Sequence, residues 1–86
     1  MKRTDRLQII LDQFPDESFL VMEGHHNAIL GVEAHRMVLV YSVKQILKNL
    51  QKDMTRSEAL EYFEFNMAQA HMGEKTPVYV FDTFDD

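Results

Sequence analysis

Residues 55–77 read TRSEALEYFEFNMAQAHMGEKTP, a stretch bounded by a helix start signal and a helix stop signal. Thr55 followed by Glu58 is a capping box, in which the hydroxyl accepts from a free first-turn amide and the glutamate reaches back to the Thr55 amide. Leu60, Phe63, Met67 and Ala70 then recur at three- and four-residue spacing with Ala59 beside them, so one helical face is apolar. Glu58, Glu61 and Glu64 lie away from that stripe, and an acidic first half suits the positive end of the helix dipole. Gly73 can take the left-handed conformation past the last turn, and Pro77 bars a return to helix. The spacing predicts a helix over residues 56–72.

Two features exceed what a surface helix needs. Tyr62 and Phe65 fall outside the main stripe, so apolar surface wraps around the helix. Asn66 sits at the stripe's edge, one turn from Tyr62, where a half-buried amide must find partners for its donors and acceptor. It either bonds to the backbone of a neighbouring element or contacts a ligand or partner.

The other segments read as follows. Leu7, Ile10, Leu11 and Phe14 form a helical stripe over residues 4–14, begun near Asp5, ended by Pro15, and expected to pack on a sheet. The apolar run SFLVM at 18–22 reads as a strand ended by Gly24, followed by a polar turn at His25, His26 and Asn27. AILGVE at 28–33 and RMVLVY at 36–41 read as strands joined tightly at Ala34 and His35, which favours antiparallel pairing, with Gly31 marking a bulge or a close approach. Ser42 with Gln45 makes a second capping box for a helix over 43–52 carrying Val43, Ile46, Leu47 and Leu50, and VYVFD at 78–82 alternates as a strand before an acidic tail at 83–86. The expected fold is α+β, ordered α-β-β-β-α-α-β: a small antiparallel sheet of three or four strands, an N-terminal helix and a central helix pair.

With 86 residues there is room for a single domain with a limited core. The absence of cysteine excludes disulfides, thiolate metal sites and a cysteine nucleophile. No apolar run is long enough for a membrane span, and the basic N-terminus is followed by charges, unlike a signal peptide, so a cytoplasmic protein is expected. A net charge of −5 and scattered basic residues (Lys2, Arg3 and Arg6; Lys44, Lys48 and Lys52) argue against general nucleic-acid binding.

No constellation spells out a reaction. His25, His26, His35 and His71 lack the spacing of a zinc site, so neither a metal nor a cofactor is expected. Glu58, Glu61 and Glu64 occupy a solvated face, Asp82 has nothing evident to tune it, and Ser18, Ser42 and Ser57 lack a nucleophile elbow, so no catalytic residue is assigned. The link GEKTP at 73–77 offers a glycine, a lysine, a hydroxyl and a carboxylate, but it is not a phosphate-binding loop, because its glycine ends a helix instead of beginning one. The candidate ligand- or partner-binding set is Glu33, Tyr41, Tyr62, Phe65, Asn66, Glu74, Lys75 and Thr76, with Asn66 and the 74–76 link expected near the strands at Glu33 and Tyr41.

The blocks AILGVE at 28–33, VYS at 40–42, EALEYFEFN at 58–66 and GEKTP at 73–77 resemble a group of small bacteriophage and bacterial proteins over about two thirds of the chain. That group usually carries acidic residues where this chain has His25, His26 and Asn27, and small residues with an aromatic at positions 69–71. The resemblance implies a phage or prophage setting, hence the host cytoplasm, and no particular reaction. The resulting expectation is a small non-catalytic binding protein that occupies a host protein or a small metabolite, in modulation of host defence. The alternatives are a small enzyme or nucleotide-binding domain with a site near Asn66 and the 74–76 link, and a structural oligomer. A homodimer is expected because a chain this short cannot easily cover Tyr62, Phe65 and both faces of its last strand.

Overall fold

Strand periodicity passes into helix periodicity at Ser42 with no loop between. Strand β2 (Val38–Ser42) runs directly into helix α2 (Val43–Leu50). The computed structural model describes residues 5–68, 70 and 73–83. Within them, α1 (Arg6–Gln13) precedes β1 (Ile29–Glu33) and β2, then come α2, α3 (Arg56–Phe63) and β3 (Val78–Val80), so the α+β class holds. The strand order is β1-β2-β3, with β2 in the middle.

The sheet is mixed. β1 and β2 pair antiparallel as the short connection requires, with Val32 opposite Leu39 and Glu33 opposite Val38. β3 instead pairs parallel to β2, Tyr79 lying opposite Tyr41. The expected all-antiparallel arrangement fails there because two helices separate β2 from β3, and a helical crossover returns the chain in the same direction. Gly31 marks a bulge: the register shifts between Ile29 and Gly31, leaving Leu30 as the extra residue. The turn between β1 and β2 spans residues 34–37, longer than expected, and Met37 closes it at φ 56°, a left-handed conformation unfavourable for a side chain with a Cβ.

The segment at 18–22 is extended but joins no ladder. Its end is held differently, since the Met22 amide donates to the Tyr41 hydroxyl at 2.8 Å. Phe19, Val21 and Met22 pack against the core from that path. A short apolar run thus forms a covering strap here, because its backbone found a side-chain acceptor.

Each helix start follows its cap. Asp5 accepts from the Leu7 amide at 3.0 Å, and Thr55 and Glu58 form the complete capping box. At α2, Ser42 accepts from the Gln45 amide at 3.0 Å, but the Gln45 side chain turns to Asn49 at 3.1 Å, so only half of that box forms. The α-helical part of the third helix ends at Phe63 and continues as a π-helical turn over Glu64–Ala68. Ala59, Phe63 and Met67 are its buried residues, spaced four apart. Each four-residue step overshoots a 3.6-residue turn by about 40°, and the wider π turn cancels that drift, keeping Met67 aimed at the core. The expected helical residues 69, 71 and 72, and the tail at 84–86, lie outside the described residues. Ala70, expected within the helix, lies outside it, so the helix ends before Gly73, whose φ of +90° serves the turn at 73–75 instead.

The core gathers Ile29, Leu39, Tyr41, Val43, Ile46 and Phe63, joined by Ile10 from α1. β2 is buried along nearly its whole length, as a central strand covered on both sides should be. Tyr79 bridges sheet and helix: its ring lies 6.1 Å from Tyr41 and meets Phe63 edge-on at 5.3 Å.

The two tyrosines differ in one respect. Tyr41 uses its hydroxyl, whereas the Tyr79 hydroxyl is buried with no hydrogen-bond partner among the described residues. Removing a satisfied group and removing an unsatisfied one have opposite effects. Tyr41→Phe should lower the unfolding free energy by about 1 kcal/mol, and Tyr79→Phe should leave it unchanged or raise it by a similar amount. Urea titration of the two variants checks the contrast, and equal losses would refute it.

Candidate functional site

Lys75 is the most connected residue of the 73–77 link. Its ammonium donates to the Met37 carbonyl at 2.6 Å and to Glu17 at 3.1 Å, and stands 5.1 Å from the centre of the Phe19 ring. Lys75 therefore ties the strap to the β1–β2 turn, holding the carbonyl of the residue with positive φ. The ion pair is partly exposed and contributes only about 0–1 kcal/mol, so the bond to the carbonyl is the more directional hold. Thr76 folds back onto the Gly73 carbonyl at 2.6 Å. Arg36, Gly73, Glu74 and Lys75 border a hollow of about 570 Å³, but Lys75 is already engaged and Glu74 opposes an anion there.

The expected convergence of Asn66 with this link does not occur. Asn66 is exposed, and its amide donates to the Tyr62 carbonyl one turn back in its own helix, at 3.2 Å. It borders a different hollow from Lys75, so the strand–link site loses its central amide. Glu33 closes the β1–β2 turn by accepting from the Arg36 amide at 2.6 Å, and that bond holds its carboxyl below the usual range. Tyr41 is fully buried, and burial pushes its hydroxyl above the ordinary tyrosine range. Tyr41 therefore presents no group at the surface, and the Glu33 carboxylate, which does reach solvent, is engaged in the turn.

Tyr62 and Phe65 do stand together. They are 44% and 68% exposed, and with Asp53, Met54, Glu58, Glu61 and Asn66 they line an open hollow of about 440 Å³ on α3 and its π turn. Glu58 lies one turn below Tyr62 and Glu61 one turn below Phe65. These glutamates occupy a solvated face, as their spacing predicts, and the two aromatics share it.

A polar cluster that the sequence reading did not single out joins α2 to the 3₁₀ turn at His26–Ala28. The Asn49 side chain accepts from Gln45 and Asn27 at 3.1 and 3.2 Å, and donates to Asn27 and His25 at 2.8 and 3.0 Å. All four bonding positions of one amide are thereby used. The available signal was weak: two asparagines distant in sequence, one on a helix face otherwise read as surface. His25 and His26 are half-buried, not the surface turn residues expected, and His26 Nε2 has no partner among the described residues. Among the described residues no group of three or more His, Asp or Glu is placed to hold a metal ion.

Burial pushes His25 below its ordinary value of 6.5, and the Asn49 amide, which can only donate, requires the neutral ring. A lowered folded-state pKa means that the unfolded chain takes up the proton first as pH falls. This contribution is therefore complete above pH 6.5 and is lost as pH drops through the folded-state value. Urea titrations across the mildly acidic range should show stability declining with pH, and His25→Gln should flatten that slope. An unchanged slope in the variant would locate the acid sensitivity elsewhere.

Chemically, the described residues offer two clamps and a polar cross-link that hold the fold, and one unoccluded aromatic–carboxylate face. No protein-family model, curated protein or solved structure matches the chain.

Proposed function

We propose that the protein is a small non-catalytic binding protein of phage type that occupies a host protein in the cytoplasm. The observation that carries this reading is the Tyr62–Phe65 face, aromatic and exposed, beside the exposed carboxylates of Asp53, Glu58 and Glu61. Exposed aromatic clusters of this kind are common in protein interfaces. Lys75 and Asn49, by contrast, are engaged in holding the strap and the 3₁₀ turn. The phage setting and the link to host defence rest on the resemblance of the blocks at 28–33, 40–42, 58–66 and 73–77. An open hollow on a helix face favours a protein partner over a sequestered metabolite. The alternative of a nucleotide or enzyme site near Asn66 and Lys75 is weakened, since these residues border different hollows.

Self-association belongs to the same proposal, but on the opposite evidence. Two copies joined through the α3 face about a two-fold axis would bring their own carboxylates together, which is unfavourable. The apolar side chains Ile9 and Leu30, 45% and 50% exposed beside the outer edge of β1, suit a homodimer better. Arg6 already donates to the Ile29 carbonyl at 2.7 Å on that side, so the contact would be side-chain packing and not strand addition.

Two measurements test these readings. A tagged protein expressed in a host should capture a partner that, once identified and purified, binds the chain directly and loses affinity by about tenfold or more on Tyr62→Ser with Phe65→Ser. A purified partner indifferent to both changes would remove the α3 face as the site. Light scattering at micromolar concentration should give twice the chain mass of 10.1 kDa, returning to a single chain on Leu30→Ser. A single-chain mass throughout would refute the dimer.

A further inference from the structure

Glu58, Glu61, Tyr62, Phe65 and Asn66 line one open hollow along the third helix. The true core stripe, with Ala59, Phe63 and Met67, lies on another side of the same helix and is already covered. The third helix thus buries one face and leaves a second, aromatic and acidic, exposed. Asp53 and Met54, from the turn before α3, close one end of the second face and give the hollow its shape. Beneath Phe65 and Asn66 the helix is in its π turn, a rare geometry often found at functional sites.

The charges on this face define what can cover it. The Asp53 and Glu61 carboxylates make no hydrogen bond or ion pair among the described residues, and Glu58 uses one carboxylate oxygen in the Thr55 capping box. A purely apolar cover would strip water from these carboxylates without replacing it, and an anionic one would be repelled. A cation meets both demands, pairing with the carboxylates while lying over the electron-rich ring faces. The net charge of −5 adds long-range attraction for a basic partner.

Resting on the binding-protein reading above, we infer that the α3 hollow receives a cationic peptide segment of the partner. An Arg or Lys stem lies across Tyr62 and Phe65, its charge reaches Asp53 and Glu61, and a neighbouring aliphatic side chain packs on Met54. A guanidinium is the better match, because it stacks on rings and pairs with a carboxylate through two parallel bonds.

The test uses a short fluorescent peptide of alternating Arg and Leu, and the same peptide with citrulline in place of Arg, which keeps shape and removes charge. The intact chain should bind the Arg peptide in the micromolar range, with amide shift changes confined to residues 53–66. Affinity should fall by about tenfold or more with the citrulline peptide, with Asp53→Asn plus Glu61→Gln, and with Phe65→Ser. Raised salt should weaken it. Because Asp53 and Glu61 are exposed and their carboxylates make no internal bond, the double variant should keep the parent thermal midpoint, which separates lost binding from lost folding. Equal binding of both peptides, an unaffected double variant, or shift changes centred elsewhere would overturn the inference. So would concentration-dependent self-association abolished by the double variant, which would assign the face to a second copy. A captured host protein that needs Phe65 but ignores Asp53 and Glu61 would sink the cationic segment and leave the binding-protein reading standing. Failure to capture any directly binding protein would count against that reading itself.

Discussion

The Ser42 hydroxyl connects the two halves of the fold. It is the last residue of β2 and the N-cap of α2, accepting from the Gln45 amide while donating to the Asp82 carboxylate, 2.7 and 2.8 Å from its two oxygens. At 3% exposure this is a buried, charge-assisted contact, and such bonds are stronger than neutral ones. One side chain therefore ends a strand, starts a helix and anchors the chain after β3. That anchor adds a side-chain hold just beyond β3, whose three residues supply few ladder bonds of their own.

Around this junction, polar groups from distant segments replace some of the core that so short a chain lacks. Lys75 holds the strap and the β1–β2 turn, Tyr41 holds the end of the strap, and Asn49 holds the 3₁₀ turn against α2. Each contact closes a loop whose apolar residues alone would bury too little surface to stay in place. Residues with the chemical look of a site are in this way absorbed into architecture. The second face of α3, with Tyr62 and Phe65 beside Glu58 and Glu61, is among the surfaces that this architecture leaves exposed.

The π turn links those two roles. It arises from a core requirement, the four-residue spacing of Ala59, Phe63 and Met67, yet it also resets the direction of every side chain after Phe63. Phe65 and Asn66 consequently stand out from the helix, not at the rim of the core. A residue spacing selected for packing on one side has a geometric consequence on the other.

Local chemistry determined much of this protein in advance. The capping box at Thr55, the cap at Ser42, the bulge at Gly31 and the α+β class follow from interactions within a few residues and are present, although the Gln45 half of the second box is not formed. Whatever depended on partners far along the chain was decided by tertiary structure. The run at 18–22 has strand composition, but no strand of the sheet pairs with it and the Tyr41 hydroxyl holds its end. Asn66 read as half-buried because an α-helix was extrapolated through a segment that widens into a π turn. Glu17 and Lys75 lie 58 residues apart, and no periodicity records that they meet. Propensity, capping and turn chemistry are short-range and legible in one dimension; register, strand direction and the use of a buried polar group depend on which segments the collapsed chain brings together.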